Sequence, residues 1–104
     1  MHFHSGSCAL LLLAACSSVP KVAPERVAAM REAEDEDALK GCRPLGRFTG
    51  SSTQAGDPGL AQARAEAKAK CANAGATDFA FVNESVTPDV TTVAARAFDC
   101  SERK

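Results

Sequence analysis

Cysteine is the most reactive side chain in this sequence, and one of its five copies ends a motif with a defined chemistry. Residues 13–16 read Leu-Ala-Ala-Cys and follow an apolar stretch. In bacterial lipoprotein precursors, the sulfur of such a cysteine receives a diacylglycerol. A peptidase that requires small side chains at the two preceding positions then cuts before it. The motif therefore predicts lipidation of Cys16 and a mature chain that begins at this residue.

The segments on either side of Cys16 fit export and anchoring. Residues 8–13 are apolar, but they are far fewer than the ~20 residues that a membrane-spanning helix needs. Residues 1–15 are therefore predicted to be a signal peptide. Residues 16–24 contain two prolines and lack hydrophobic periodicity, which is typical of a tether after the lipidated cysteine. Residues 25–104 are long enough for one small domain.

Composition excludes several kinds of site from the mature chain. Both histidines, His2 and His4, lie in the predicted signal peptide, so imidazole-based catalysis and metal ligation are not expected. The later cysteines, Cys42, Cys71 and Cys100, are too widely spaced for a zinc motif. The net charge is -1 and the basic residues are scattered, which does not favour binding to nucleic acid. We therefore expect no cofactor, no bound metal and no catalytic residue.

Carboxylates offer the remaining route to catalysis, and the sequence does not group them. Glu66, Asp78 and Glu84 are spread along a predicted helix and predicted strands with nothing to pair them, so we interpret them as surface charges. The acidic run at residues 32–37 lacks the glycine and the alternating ligands of a calcium loop. We interpret this run as a solvated turn.

One long helix is predicted over residues 58–74. Asp57 could cap it, Pro58 suits its first position, and Gly75 suits a left-handed C-cap. Apolar residues recur at a spacing of three and four, which predicts a buried face made of Leu60, Ala63, Ala67, Cys71 and Ala74. Because most of these side chains are alanine, the helix can approach a sheet closely.

Strands are predicted on both sides of this helix. Residues 45–50 form one strand, and a loop at residues 51–56 leads from it to the helix. Residues 79–86 and 91–100 are rich in aromatic and β-branched side chains. The turn residues 87–89 lie between these two segments, which predicts a hairpin.

Residues 25–40 allow two interpretations. Local propensity favours a helix through residues 25–32. A strand around residues 26–31 would instead give the sheet a fourth member.

The remaining cysteines predict one disulfide and one free thiol. Cys42 and Cys100 both flank predicted strands, and the signal peptide directs the chain to an oxidising compartment, so we expect these two residues to pair. Cys71 is then left over. Its place on the apolar face of the helix favours a buried side chain that packs as a small hydrophobe. The alternative is a reactive thiol that is exposed to solvent.

Three features occur in a distinctive order along the chain. Cys42 lies just before Leu-Gly at a strand start, the helix runs into Gly-Ala-Thr-Asp at residues 75–78, and the closing strand places Phe98 shortly before Cys100. This order resembles a family of small bacterial lipoproteins whose core is similar to that of RcsF, an outer-membrane lipoprotein that senses envelope stress for the Rcs phosphorelay. The resemblance implies a compact domain with a helix on a small sheet, and it favours the strand at residues 26–31.

These predictions together give an α+β fold in which one helix packs on a small three- to four-stranded sheet. The expected order is strand, strand, helix, strand, strand.

The expected function is that of a non-enzymatic, monomeric, lipid-anchored envelope protein that binds or monitors another envelope component, as the resemblance to RcsF implies. Ser17 after Cys16, in place of aspartate, favours sorting to the outer membrane, on its periplasmic face, under the rule known from enteric bacteria. The alternative function is that of a periplasmic thiol-redox or partner-crosslinking protein that uses Cys71.

Overall fold

The computed structural model describes residues 22–102, so the predicted signal peptide and Cys16 lie outside the described residues. In chain order the elements are α1 (Pro24–Ala29), β1 (Arg31–Glu32), a 3₁₀ helix (Glu36–Leu39), β2 (Arg43–Ser52), α2 (Gly56–Asn73), β3 (Asp78–Val86) and β4 (Thr91–Asp99). The four strands form one sheet in the order β1-β3-β4-β2. This arrangement confirms the predicted α+β fold with one main helix on a small sheet. None of the helices within residues 22–102 is long and apolar enough to cross a membrane.

The predicted hairpin is formed by β3 and β4, which pair antiparallel. Thr87 closes its turn, since the Thr87 N–H donates to the Val90 carbonyl and the Thr87 hydroxyl accepts from the Val90 N–H, each at 3.0 Å. On its other side β4 pairs antiparallel with β2, which is longer at both ends than the strand predicted at residues 45–50. β4 is therefore the central strand of the sheet.

The core lies between α2 and the sheet. α2 crosses mainly β2 and β4, and the small side chains on its buried face allow this close approach. The buried residues on this side are Met30, Ala63, Ala67, Cys71, Ala72, Phe79, Val93, Ala95 and Ala97. A smaller cluster contains Leu39, Ala80 and Phe98. Because successive strand residues point to opposite faces, this second cluster covers the face of the sheet away from α2.

The N-terminal end of α2 differs from the prediction. The helix begins at Gly56, and the N-cap residue Ala55 makes no side-chain capping bond. Gly56 has a φ of 71°, which glycine adopts without strain, and this residue turns the chain into the helix. Asp57 therefore lies inside the first turn instead of capping it, and Pro58 occupies the third position, where its missing N–H removes no helical hydrogen bond.

At the C-terminal end of α2, the predicted C-cap is confirmed, but the predicted buried face is partly wrong. Gly75 follows the C-cap residue Ala74 and has a φ of 91°, the predicted left-handed conformation. Ala74 is exposed and Ala72 is buried. The predicted apolar stripe therefore fails at its last member, because the chain leaves the helix before Ala74 can reach the sheet.

The ambiguous N-terminal segment contains both a helix and a strand, each shorter than expected. α1 ends at Ala29, so the helix predicted through residue 32 is too long, and the strand predicted at residues 26–31 is replaced by β1 at Arg31–Glu32. Met30 leaves the helix in an extended conformation and buries its side chain in the core. The Arg31 N–H then donates to the Thr77 carbonyl at 3.0 Å, which fixes β1 beside β3. Tertiary contacts at Met30 and Arg31 decide where the helix stops.

Candidate functional site

Cys42 and Cys100, the pair predicted from the sequence, are joined by a disulfide with an S–S distance of 2.03 Å. Cys42 precedes β2 and Cys100 follows β4. These strands are neighbours, and their register brings the two Cα atoms to 4.5 Å from each other. The bond therefore fastens adjacent ends of two paired strands.

Beside the disulfide, Asp99 is held in its charged form. Its Oδ1 accepts the Ser101 N–H at 2.9 Å, and its Oδ2 accepts a hydrogen bond from the Arg43 guanidinium at 3.0 Å. Hydrogen bonds from Ser101, and then from Arg43, lower the pKa of Asp99 from 3.8 to about 2. A carboxyl group with this pKa carries no proton to donate near neutral pH, so Asp99 is poorly suited to act as a general acid.

Cys71 lies in the middle of the core and is completely buried between α2 and the sheet. It is a free cysteine. Burial raises the pKa of its thiol from 9.0 to about 11, because the thiolate would lose its hydration. These facts agree with the packing interpretation of Cys71, since a reactive thiol requires both access and a thiolate.

The three carboxylates considered in the sequence are on α2 and β3, and each has a structural partner. The partners are the Ser51 N–H for Glu66 (2.9 Å), Arg31 for Asp78 (3.3 Å) and Arg64 for Glu84 (2.6 Å). Asp78 is buried, so its interpretation as a surface charge is wrong. The ion pair with Arg31 compensates this burial and joins β1 to β3, and the other two contacts join α2 to β2 and to β3.

The acidic run at residues 32–37 contains the start of the 3₁₀ helix. Asp35 Oδ1 accepts the Ala38 N–H at 3.1 Å and caps this helix, while Glu36 Oε2 lies 3.2 Å from Nη1 of Arg96 on β4. The run is therefore attached to the sheet as well as solvated. Within the described part of the chain, no group of three or more histidine, cysteine and acidic side chains is arranged to hold a metal ion.

A cleft that the sequence analysis did not identify lies between α2 and β3. Its volume is about 450 Å³, and its lining residues are Glu32, Ala61, Arg64, Ala65, Lys68, Phe81 and Glu84. Because α2 lies mainly over β2 and β4, the ring of Phe81 on β3 is only partly covered.

Cationic side chains of α2 lie over the aromatic rings of β3 in and beside this cleft. Cζ of Arg64 is 5.6 Å from the centroid of the Phe81 ring, and Nζ of Lys68 is 5.7 Å from that of Phe79. The two rings meet edge to face at 5.2 Å. Arg64 also pairs with Glu84, and the hydrogen bond that Arg64 donates to the Glu84 carboxylate raises the pKa of Arg64.

The chemistry of this cleft suits binding. Its lining residues present charges, two alanines and one aromatic ring, but no hydroxyl or thiol group. The one-turn spacing of Arg64 and Lys68 on the exposed side of α2 is visible in the sequence. The contacts of Arg64 and Lys68 with the β3 side of the cleft cannot be seen in the sequence, because they depend on the angle at which α2 packs on the sheet.

Comparisons of the chain with family models, with curated proteins and with solved structures give no significant match.

Proposed function

We propose that this chain is a non-enzymatic lipoprotein of the bacterial cell envelope. It is anchored through Cys16 to the outer membrane, faces the periplasm as a monomer, and binds or monitors another envelope component in the manner of the RcsF-like family. The observation that carries the proposal is the Leu-Ala-Ala-Cys motif at residues 13–16 after a short apolar segment.

Two features of the folded part support this proposal. The disulfide between Cys42 and Cys100 suits an exported protein, because such bonds persist in oxidising compartments. The surface offers a cleft lined by charges and an aromatic ring, which suits recognition. The burial of Cys71 argues against the alternative in which this thiol performs redox or crosslinking chemistry.

Lipidation at Cys16 is tested by metabolic labelling of cells with an alkyne analogue of palmitate and by membrane fractionation. We expect the wild-type protein to be labelled and to remain with membranes, because a mature lipoprotein carries two or three acyl chains and these are enough for stable anchoring. Cys16→Ser should abolish labelling and leave either an unprocessed precursor or a released protein. Cys8→Ser is the matched control, since Cys8 lies within the predicted signal peptide. A Cys16→Ser protein that is still processed and labelled would disprove the anchor.

The binding role is tested by photo-crosslinking in intact cells, with a photoreactive residue placed at Lys68 in the cleft or, as the control, at exposed Glu102. A specific partner should be captured from Lys68 and not from Glu102. Recovery of only abundant envelope proteins, at equal levels from both positions, would count against a specific partner.

A further inference from the structure

The two outer edges of the sheet are treated differently by the rest of the molecule. On the free edge of β2, the Ser51 N–H donates to Glu66 Oε1 at 2.9 Å, and the Thr49 carbonyl accepts from Lys70 Nζ at 2.7 Å. Two side chains of α2 therefore satisfy backbone groups that another strand could otherwise bind. Natural sheets commonly protect their edges in this way.

The opposite edge of the sheet is protected over only its first residues. β1 pairs with Asp78 and Phe79 of β3, and the Ala33 N–H adds one bond to the Phe79 carbonyl at 2.8 Å before the chain turns away. Beyond this point, the outer edge of β3 at residues 80–86 has no strand beside it within residues 22–102. We call this segment the open edge.

Two clefts flank the open edge, one on each face of the sheet. The cleft towards α2 is lined by Ala61, Ala65 and Lys68 among others, and a second cleft of about 330 Å³ is lined by the acidic residues 35–37. Phe81 lines both clefts, so they meet at the open edge. Together they leave room on both faces for the side chains of an added strand.

Resting on the proposed function, we propose that the open edge binds an extended, basic segment of a partner protein by adding it to the sheet as a fifth strand. Main-chain hydrogen bonds to β3 would give affinity, and the two clefts would select side chains. The bound partner segment would lie beside β3 in the place that β1 would occupy if this strand continued beyond Glu32.

The chemistry of the two clefts specifies an alternating pattern in the partner. Successive side chains of a strand point to opposite faces. Those on the face of residues 35–37 meet three carboxylates. Among residues 22–102, Arg96 pairs with Glu36 and no ion pair is formed by the other two, so lysine or arginine is favoured there. Those on the other face meet Ala61, Ala65 and the ring of Phe81, with charged residues of both signs around them. Apolar side chains are therefore favoured against the ring and the two alanines.

A designed peptide probe tests this proposal. A short fluorescein-labelled peptide of alternating lysine and valine is titrated into the full-length protein, purified from cells in non-ionic detergent, and binding is followed by fluorescence anisotropy. We expect saturable binding that weakens at high salt. Methylation of alternate backbone nitrogens of the peptide should weaken binding by about tenfold or more, because it removes the ladder donors. Replacement of the lysines of the peptide by glutamates should weaken binding at least as much.

Protein variants then locate the binding site without disturbing the core. Asp37→Lys should weaken binding about fivefold, because it reverses an exposed charge in the acidic cleft. Glu25→Lys makes the same charge change on α1 and should change the affinity less than about twofold.

Three results would overturn the proposal: no binding to the wild-type protein, equal affinity for the methylated peptide, or equal effects of the two charge reversals. Failure of the probe, together with specific crosslinking from Lys68 in cells, would remove strand addition and leave the proposed function intact. If the protein is not lipidated and no specific partner is crosslinked, but the probe binds as expected, the proposed function would be removed and strand addition at the open edge would remain.

Discussion

The behaviour of Cys71 is determined by its surroundings. Its side chain lies on the alanine-rich face of α2 and is completely buried, so a thiolate at this position would be stripped of water. The resulting rise of its pKa to about 11 favours the neutral thiol in the folded state. A residue that is chemically reactive in an unfolded chain thus acts as a small apolar group in the core.

The stability of the protein should depend on pH through Cys71. Below pH 9 the thiol is protonated in both folded and unfolded states, and between pH 9 and about 11 it ionises only in the unfolded state. The free energy of unfolding should therefore fall by about 3 kcal/mol across this range because of Cys71. Cys71→Ala should lack this component, and comparison of the two proteins removes the contribution of the other titrating groups. The measurement is urea denaturation followed by circular dichroism, because the chain has no tryptophan or tyrosine.

Maleimide labelling gives an independent check on this residue. Cys71 should be protected in the folded protein at neutral pH and should react once denaturant is added. Rapid labelling of the folded protein would contradict burial and would restore the redox alternative.

The contact between α2 and β2 depends on the absence of a side chain at Gly50. A Cβ at this position would overlap the Ala63 carbonyl oxygen and would lie 2.7 Å from the Ala67 backbone nitrogen. Both obstacles are helix backbone, which cannot move aside without displacing α2. The close packing that alanine allows on the helix is therefore matched by glycine on the strand.

Gly50→Ala should lower the free energy of unfolding by about 3 kcal/mol, because the new methyl group forces α2 away from the sheet. Thr49→Ala is the matched control, since Thr49 is the exposed neighbour in the same strand and should change stability by less than about 1 kcal/mol. Urea denaturation measures both. Equal effects of the two substitutions would show that α2 can relax away from Gly50 at little cost.

The disulfide acts on the whole molecule, because it joins residues 58 positions apart in a domain with a small core. Cys42 and Cys100 lie at adjacent ends of β2 and β4, and these strands together carry most of the contact with α2. Closing this loop restricts the unfolded chain far more than it restricts the folded one.

Replacement of both cysteines, Cys42→Ser with Cys100→Ser, should cost about 4 kcal/mol in the chain-entropy model, which is a large share of the stability of a small domain. Cys71→Ala should keep the disulfide and serves as the control. Non-reducing peptide mapping of the wild-type protein should find Cys42 joined to Cys100. A bond from either residue to Cys71 would contradict this pairing.

Capping and turn residues in the sequence predicted the ends of the elements that local interactions define. Gly75 ended the long helix as expected, and the turn residues after β3 closed the hairpin, because glycine and turn chemistry act within a few residues. The positions of Cys42 and Cys100 beside strands, together with the predicted export of the chain, predicted their pairing. The motif at residues 13–16 predicts an anchor at Cys16, which lies outside the described residues, so this stays a prediction.

Other features required the tertiary structure, because they depend on partners that are distant in sequence. The end of α1 is set by burial of Met30 and by the hydrogen bond from Arg31 to Thr77, which override helix propensity through residue 32. The protected edge of β2 follows from where α2 lies on the sheet, and the open edge of β3 follows from where the chain turns away after β1. The order of the strands and the placement of the helix, which no local pattern encodes, thus decide which edge of the sheet has no strand beside it within residues 22–102.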